Sequence, residues 1–161
     1  MSLFEDDNYR WRETYFVLFQ HQDRPSATAI QEALRPLAPR VQIREMRAGK
    51  NDRLESLTLV SPDDFAAMDL SFVAGEEVIE QVQEFEKQMV KGTLSEDDQK
   101  KWERARACDA RFDIYHFEQL VANDDDDDEG FLDPGALLIV LQRLAGLCHG
   151  VGVDPQSGTL L

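Results

Sequence analysis

The amino-acid sequence predicts an α+β fold, with a mainly antiparallel sheet and helices packed on one face. Three observations carry this. Residues 14–19 read Thr-Tyr-Phe-Val-Leu-Phe, an unbroken β-branched and aromatic run. Residues 41–73 hold alternating segments separated by short polar turns, which is hairpin patterning. Apolar residues at helical spacing recur before and after these segments. Strand, helix, hairpin, strand and helix over the first half predict an elaborated ferredoxin-like plait. Helix, strand, helix and a short hairpin over the second half predict a degenerate second half of the same kind. The expected organisation is a flexible tail at 1–12 and one composite domain at 13–161. That domain divides into a ferredoxin-like half at 13–92 and an α/β half at 93–161, with an acidic loop at 123–133.

In chain order, the 14–19 run has two apolar faces, which suits a strand covered on both sides. A helix follows. Ser26 or Thr28 caps it, Thr28 with Gln31 fits a capping box, and Ile30, Ala33, Leu34 and Leu37 form its stripe before Pro36 and Pro39 end it. Residues 41–46 and 54–60 pair as a hairpin across Gly49 and Asn51, both of which tolerate positive φ. Residues 65–73 alternate, with Ala66, Met68, Leu70 and Phe72 on one face and Asp69 and Ser71 on the other. The helix at 76–91 buries Val78, Val82, Phe85 and Met89, with acids at its N-terminus and Lys87 and Lys91 near its end.

Ser95 opens a helix to about residue 108 that turns Trp102 and Ala105 inward. In the strand at 111–121, Phe112 and Ile114 oppose Tyr115 and Phe117. Asp133 and Pro134 start a last helix at 136–148, apolar almost all round and therefore expected between two layers, with Gly150 closing it. Val151 and Val153 begin a hairpin that turns at Asp154 and Gly158.

The charge of −15 comes from 32 acids and 17 bases. It argues against broad binding to nucleic acid or anionic lipid. No run approaches the roughly 18 apolar residues of a membrane-spanning helix. The charge is unevenly placed: residues 23–53 carry +3 and residues 76–133 carry −12. An acidic, polar start and only two cysteines, Cys108 and Cys148, predict a cytoplasmic protein with reduced thiols.

Site candidates follow from this map. The loop carboxylates Asp124, Asp125, Asp126, Asp127, Asp128 and Glu129 are the candidate metal ligands, although an EF-hand register would place Ala136 where a bidentate Glu is required. His21 with Asp23, His116, and Cys148 with His149 are further candidates without metal-ligand spacing. Glu76, Glu77, Glu80 and Glu84 form an acidic helix face suited to a basic protein partner. No catalytic residue and no cofactor motif is identified. The sequence thus predicts a non-enzymatic interaction protein. The alternative is a small-molecule-binding or weakly enzymatic ferredoxin-like domain, in which the basic stretch 40–53 meets an anionic ligand at a concave site by the hairpin. A homodimer through an open sheet edge or an apolar helix face fits either reading.

The unit helix, Gly, strand, Asp-Pro-x-x-Gly, strand at 134–161 resembles the C-terminal part of several uncharacterised bacterial α+β families, some of them immunity-like. The resemblance implies a bacterial accessory or protective protein and carries over no site residue.

Overall fold

The computed structural model of the chain describes residues 3–88, 94–120 and 135–161. Its strands are β1 (Tyr9–Phe19), β2 (Gln42–Ala48), β3 (Leu54–Ser61), β4 (Ala66–Ala74), β5 (Ala110–Gln119), β6 (Val151–Asp154) and β7 (Thr159–Leu160). Its helices are α1 (Ala27–Leu34), α2 (Glu76–Gln88), α3 (Glu96–Arg106) and α4 (Gly135–Cys148). The strands make one sheet in the order β2-β3-β4-β5-β1-β6-β7, every neighbouring pair antiparallel. The α+β class and the antiparallel sheet are as the sequence predicts.

The sheet does not divide at residue 92 into two plaits. Both neighbours of β1, β5 and β6, come from the second part of the chain. β5 lies between β4 and β1 and holds them together, so the strands β2, β3 and β4 of the first expected half are separated from their own β1.

Helices cover both faces, not one. The reason is β1, whose Phe16, Val17, Leu18 and Phe19 are all buried. Successive strand residues point to opposite faces, so such a run needs apolar cover on each side. Val17 and Phe19 pack with Leu57, Leu70, Phe112 and Ile114 under α1 and α4. Phe16 and Leu18 pack with Val151 and Val153 under Val78, Val82 and Phe85 of α2 and Trp102 of α3. Each side chain of this size taken fully out of water contributes about 1.5–3 kcal/mol.

Residues 3–12 are not a tail. Tyr9 to Trp11 are already paired with β5, and a 3-10 turn at Leu3–Glu5 buries Leu3 against Ala67 and Phe117. The Leu3 N–H donates to Asp69 Oδ2 at 2.9 Å, and the Phe4 ring lies perpendicular to those of Tyr115 and Phe117. An apolar Leu-Phe pair has somewhere to go because, among the described residues, no helix covers Ala67 and Phe117 on that face of the sheet.

Ser26 caps α1 by accepting from the Ala29 N–H at 3.0 Å. Thr28 gives both its N–H and its hydroxyl to Asp52, tying α1 to the hairpin turn instead of making a capping box. In that turn Asn51 and Asp52 take the positive φ values, while Gly49 stays at −91°. Ser95 caps α3 through the Asp98 N–H, as its spacing implies.

α4 lies on the sheet beside α1, and Leu138, Gln142, Gly146 and His149 leave one side exposed, so it is not a helix between two layers. Its end is closed by His149 in the left-handed conformation (φ 53°), with the Gly150 N–H returning to the Ala145 carbonyl at 2.8 Å. Gly150 serves a different need. A Cβ there would lie 2.4 Å from the Leu18 carbonyl oxygen. Gly150→Ala is expected to force β1 and α4 apart and to cost about 1–3 kcal/mol, read as a lower urea midpoint with unchanged slope.

Candidate functional site

Three features of one sheet face define the candidate site: the outer side of α2, the buried charges beneath it, and a trough beside them. Val78, Val82 and Phe85 turn inward from α2, which leaves Glu76, Glu77, Glu80 and Glu84 exposed along the helix. The structure therefore brings the four predicted acids onto one ridge. Glu84 is paired with Lys87 at 3.2 Å, and Glu77 reaches Arg111 at 3.4 Å.

Arg111 and Asp113 were not singled out by sequence reasoning. They sit two apart in β5 on the face opposite Phe112 and Ile114, and each side chain is only 9 % exposed. Arg111 Nε donates to Asp113 Oδ1 at 2.6 Å, one terminal nitrogen donates to the Gln81 side-chain oxygen, and the guanidinium lies 5.0 Å from the Phe16 ring centre. A buried cation is thus neutralised from the sheet and from the helix above. The visible signal is Arg-Phe-Asp-Ile within a strand, a charge at alternate positions on a face that α2 must cover.

Next to this network the sheet face is open. Cross-strand register builds two polar rows there. One runs Arg47, Ser56, Ser71 and Asp113, and the other runs Glu45, Thr58, Asp69 and Tyr115. With Phe4 as a wall, these residues other than Asp113 line a trough of about 400 Å³. Thr58 donates to Asp69 Oδ1 at 2.6 Å, and Arg47 donates to Glu45 at 3.1 Å, which holds the Glu45 carboxyl below its usual range.

The trough is a concavity at the hairpin, as the small-molecule alternative requires, but its charge is not the one expected. Of the basic stretch only Arg47 lines it. Arg40 points to Asp64 at 3.0 Å and Arg44 to Asp6 at 3.5 Å, so these cations hold the chain's own acids. Hydrogen bonds from Arg40 and Ser61 outweigh burial and keep Asp64 below the ordinary aspartate range.

The remaining candidates are separate from this face. His21 pairs not with Asp23 but with Asp109, through Nδ1 at 2.6 Å and its backbone N–H at 2.8 Å, fastening the end of β1 to the start of β5. Cys148 is buried, with Sγ donating to the Leu144 carbonyl, while His149 is exposed. Burial pushes the Cys108 thiol up to about 11 and the Cys148 thiol up to about 12, so both stay protonated at neutral pH.

His116 is 2 % exposed in β5 and lies 3.3 Å from Glu13 of β1. Burial lowers its pKa below 6.5, and the opposing pull of Glu13 does not reverse this. The same burial, with Glu13 nearby, pushes Tyr15 up to about 12.

The acidic loop residues 124–129 lie outside the described residues. Among the described residues no group of three or more His, Cys, Asp or Glu is placed to hold a metal ion. Among them, too, no helix is long and apolar enough to cross a membrane. No protein-family description, curated protein or solved structure matches the chain.

Arg111→Met leaves Asp113 buried without its cation and is expected to cost about 3–5 kcal/mol in guanidinium unfolding, most of it recovered in Arg111→Met/Asp113→Val. His116 makes stability depend on pH in a defined direction. Its folded pKa lies below 6.5, so the unfolded chain binds more protons. Its contribution is complete above that value and is lost as pH falls through it. His116→Gln is therefore expected to flatten the fall in urea midpoint between about pH 7 and pH 5.

Proposed function

We propose that the chain is a non-enzymatic interaction protein that docks a basic protein partner on the ridge of α2. The observation that carries this reading is the placement of Glu76, Glu77, Glu80 and Glu84 along the exposed side of a helix whose inner side is anchored. Charges on a mobile chain relax around any counter-ion. Charges held on a packed helix keep their spacing, and so favour a surface of matching pattern and speed its approach. Arg111, beneath the ridge, already has Asp113 against it, so it subtracts little from the outward field.

This reading takes the protein as cytoplasmic and bacterial and takes its task as accessory or protective. It follows the charge map, the N-terminal composition and the resemblance of residues 134–161. A homodimer is compatible with it, but the sheet edges offer poor surfaces for one. β7 has two residues, and β2 carries Arg44, Glu45 and Arg47 and two register irregularities.

The test is a comparison of the wild-type chain with Glu76→Gln/Glu77→Gln/Glu80→Gln/Glu84→Gln. At about 50 mM salt the wild type is expected to retain basic proteins and to release them near about 500 mM, where charges are screened within a few ångströms. The quadruple variant is expected to retain them at least about tenfold less, since it removes four of the charges that would be matched. Equal retention by both chains at low salt would remove the ridge from the interaction.

A further inference from the structure

We propose that the pocket where α2, α3 and the β6–β7 hairpin meet binds a small neutral molecule, a planar ring carrying a carbonyl group. The pocket sits at the C-terminal end of α2, where Phe85 and Gln88 line it, and its use does not depend on docking at the acidic ridge.

Its walls are set by the core. Phe85 of α2, Trp102 of α3 and Val153 of β6 belong to one buried cluster. Val153 and Leu160 are register partners across β6 and β7, so they share a face and make the floor. The hairpin turn at 155–158 supplies the remaining wall, and its shape is fixed from within. The Gln156 N–H donates to Asp154 Oδ1 at 3.0 Å, the Gly158 N–H to the Asp154 carbonyl at 2.8 Å, and the Ser157 hydroxyl to Thr159 Oγ1 at 2.7 Å. The result is a preformed space of about 340 Å³, at the lower end of the range of small-molecule pockets.

One polar group there has no use within the chain. Trp102 is 8 % exposed, yet its indole N–H donates to nothing among the described residues. Buried indoles ordinarily find an acceptor. The exposed Trp11 has one, Thr14 Oγ1 at 3.1 Å. The Trp102 nitrogen is not sealed in the core either, and the space that Trp102 borders is this pocket.

The lining then selects the ligand. An unpaired N–H donor calls for an acceptor. Phe85 and Trp102 offer ring surfaces, which favour a flat ring in offset or edge contact. Gln88 and Gln156, both exposed at the rim, carry amides that donate and accept. Among the described residues no acid or base lines the pocket, so an ion would leave water without a counter-charge. An anion would also approach against the net charge of −15. A neutral ring with a carbonyl meets each of these conditions.

The probe is benzamide, with benzoate as its charged counterpart, titrated into the full chain labelled with nitrogen-15. The chain has two tryptophans, so two indole N–H signals report side by side. That of Trp102 is expected to move downfield, with the amides of Gln156 and Gly158, and to reach half-saturation at about 1–10 mM, the affinity of a fragment of this size. That of Trp11 is expected to stay in place. Trp102→Phe keeps a ring in the wall and removes the donor. Followed at Gln156 and Gly158, it should weaken benzamide about two- to tenfold, the range of one hydrogen bond. Two unmoved indole signals at the solubility limit of benzamide would overturn the pocket, the result expected if the chain itself or a second copy fills it. Benzoate binding as tightly as benzamide would overturn the choice of a neutral ligand. Equal affinity in Trp102→Phe, with its spectrum otherwise intact, would overturn the role of the indole donor.

Discussion

The structure depends on the run Phe16 to Phe19, four consecutive buried residues in one strand. A strand with only one apolar face can leave the other to water. This one cannot, so it must lie inside the sheet and under helices on both sides. β5 and β6 supply the lateral neighbours, α1 and α4 one roof, α2 and α3 the other. The second cover stops short. It spans β1, β6 and the adjoining parts of β5 and β4 as far as Val73, while β3 and the rest of β4 keep Ser56, Thr58, Asp69 and Ser71 on that face. The boundary between covered and open sheet is where Arg111 and Asp113 sit, and where charge must be balanced internally because water reaches only one side.

That boundary also organises the surface. α2 ends its cover at Arg111, and its acids stand at the border of the open region. The Leu3–Glu5 turn marks the opposite border and places Phe4 there. Two short devices, one helix ridge and one anchored turn, thus frame a polar strip of an otherwise ordinary antiparallel sheet. Both are held from below by buried contacts, so the frame is as stiff as the core it stands on.

Much of this was legible in the sequence because strands and helices have different periods. The two-sided apolar character of residues 16–19, the opposition of Phe112 and Ile114 to Tyr115 and Phe117, and the Val78, Val82, Phe85 stripe all follow from spacing alone. Pairing does not. Whether β5 joins its own half or inserts between β4 and β1 is decided by contacts across the chain, which no local pattern encodes. The N-terminal residues escape a local reading for the same reason: Leu3 and Phe4 look like isolated apolar residues in an acidic stretch until Ala67 and Phe117 are placed under them. The acids of α2 were visible as a group. The trough was not, since its rows are assembled from β2, β3, β4 and β5.

The insertion of β5 has a consequence for how the chain is made. Tyr9 pairs with Gln119 and Phe19 with Ala110, so the centre of the sheet joins segments roughly a hundred residues apart. Until residues 110–119 leave the ribosome, β1 and β4 have no common neighbour, and the apolar run of β1 has no lateral partner at all. Closing contacts of such long separation is slow, and the unfinished sheet exposes two sticky edges in the meantime. Electrostatic repulsion gives such a nascent chain limited help: residues 1–109 carry only −7 of the net −15 and residues 23–53 are net positive, so neighbouring chains repel one another least while the last central strand is still being synthesised.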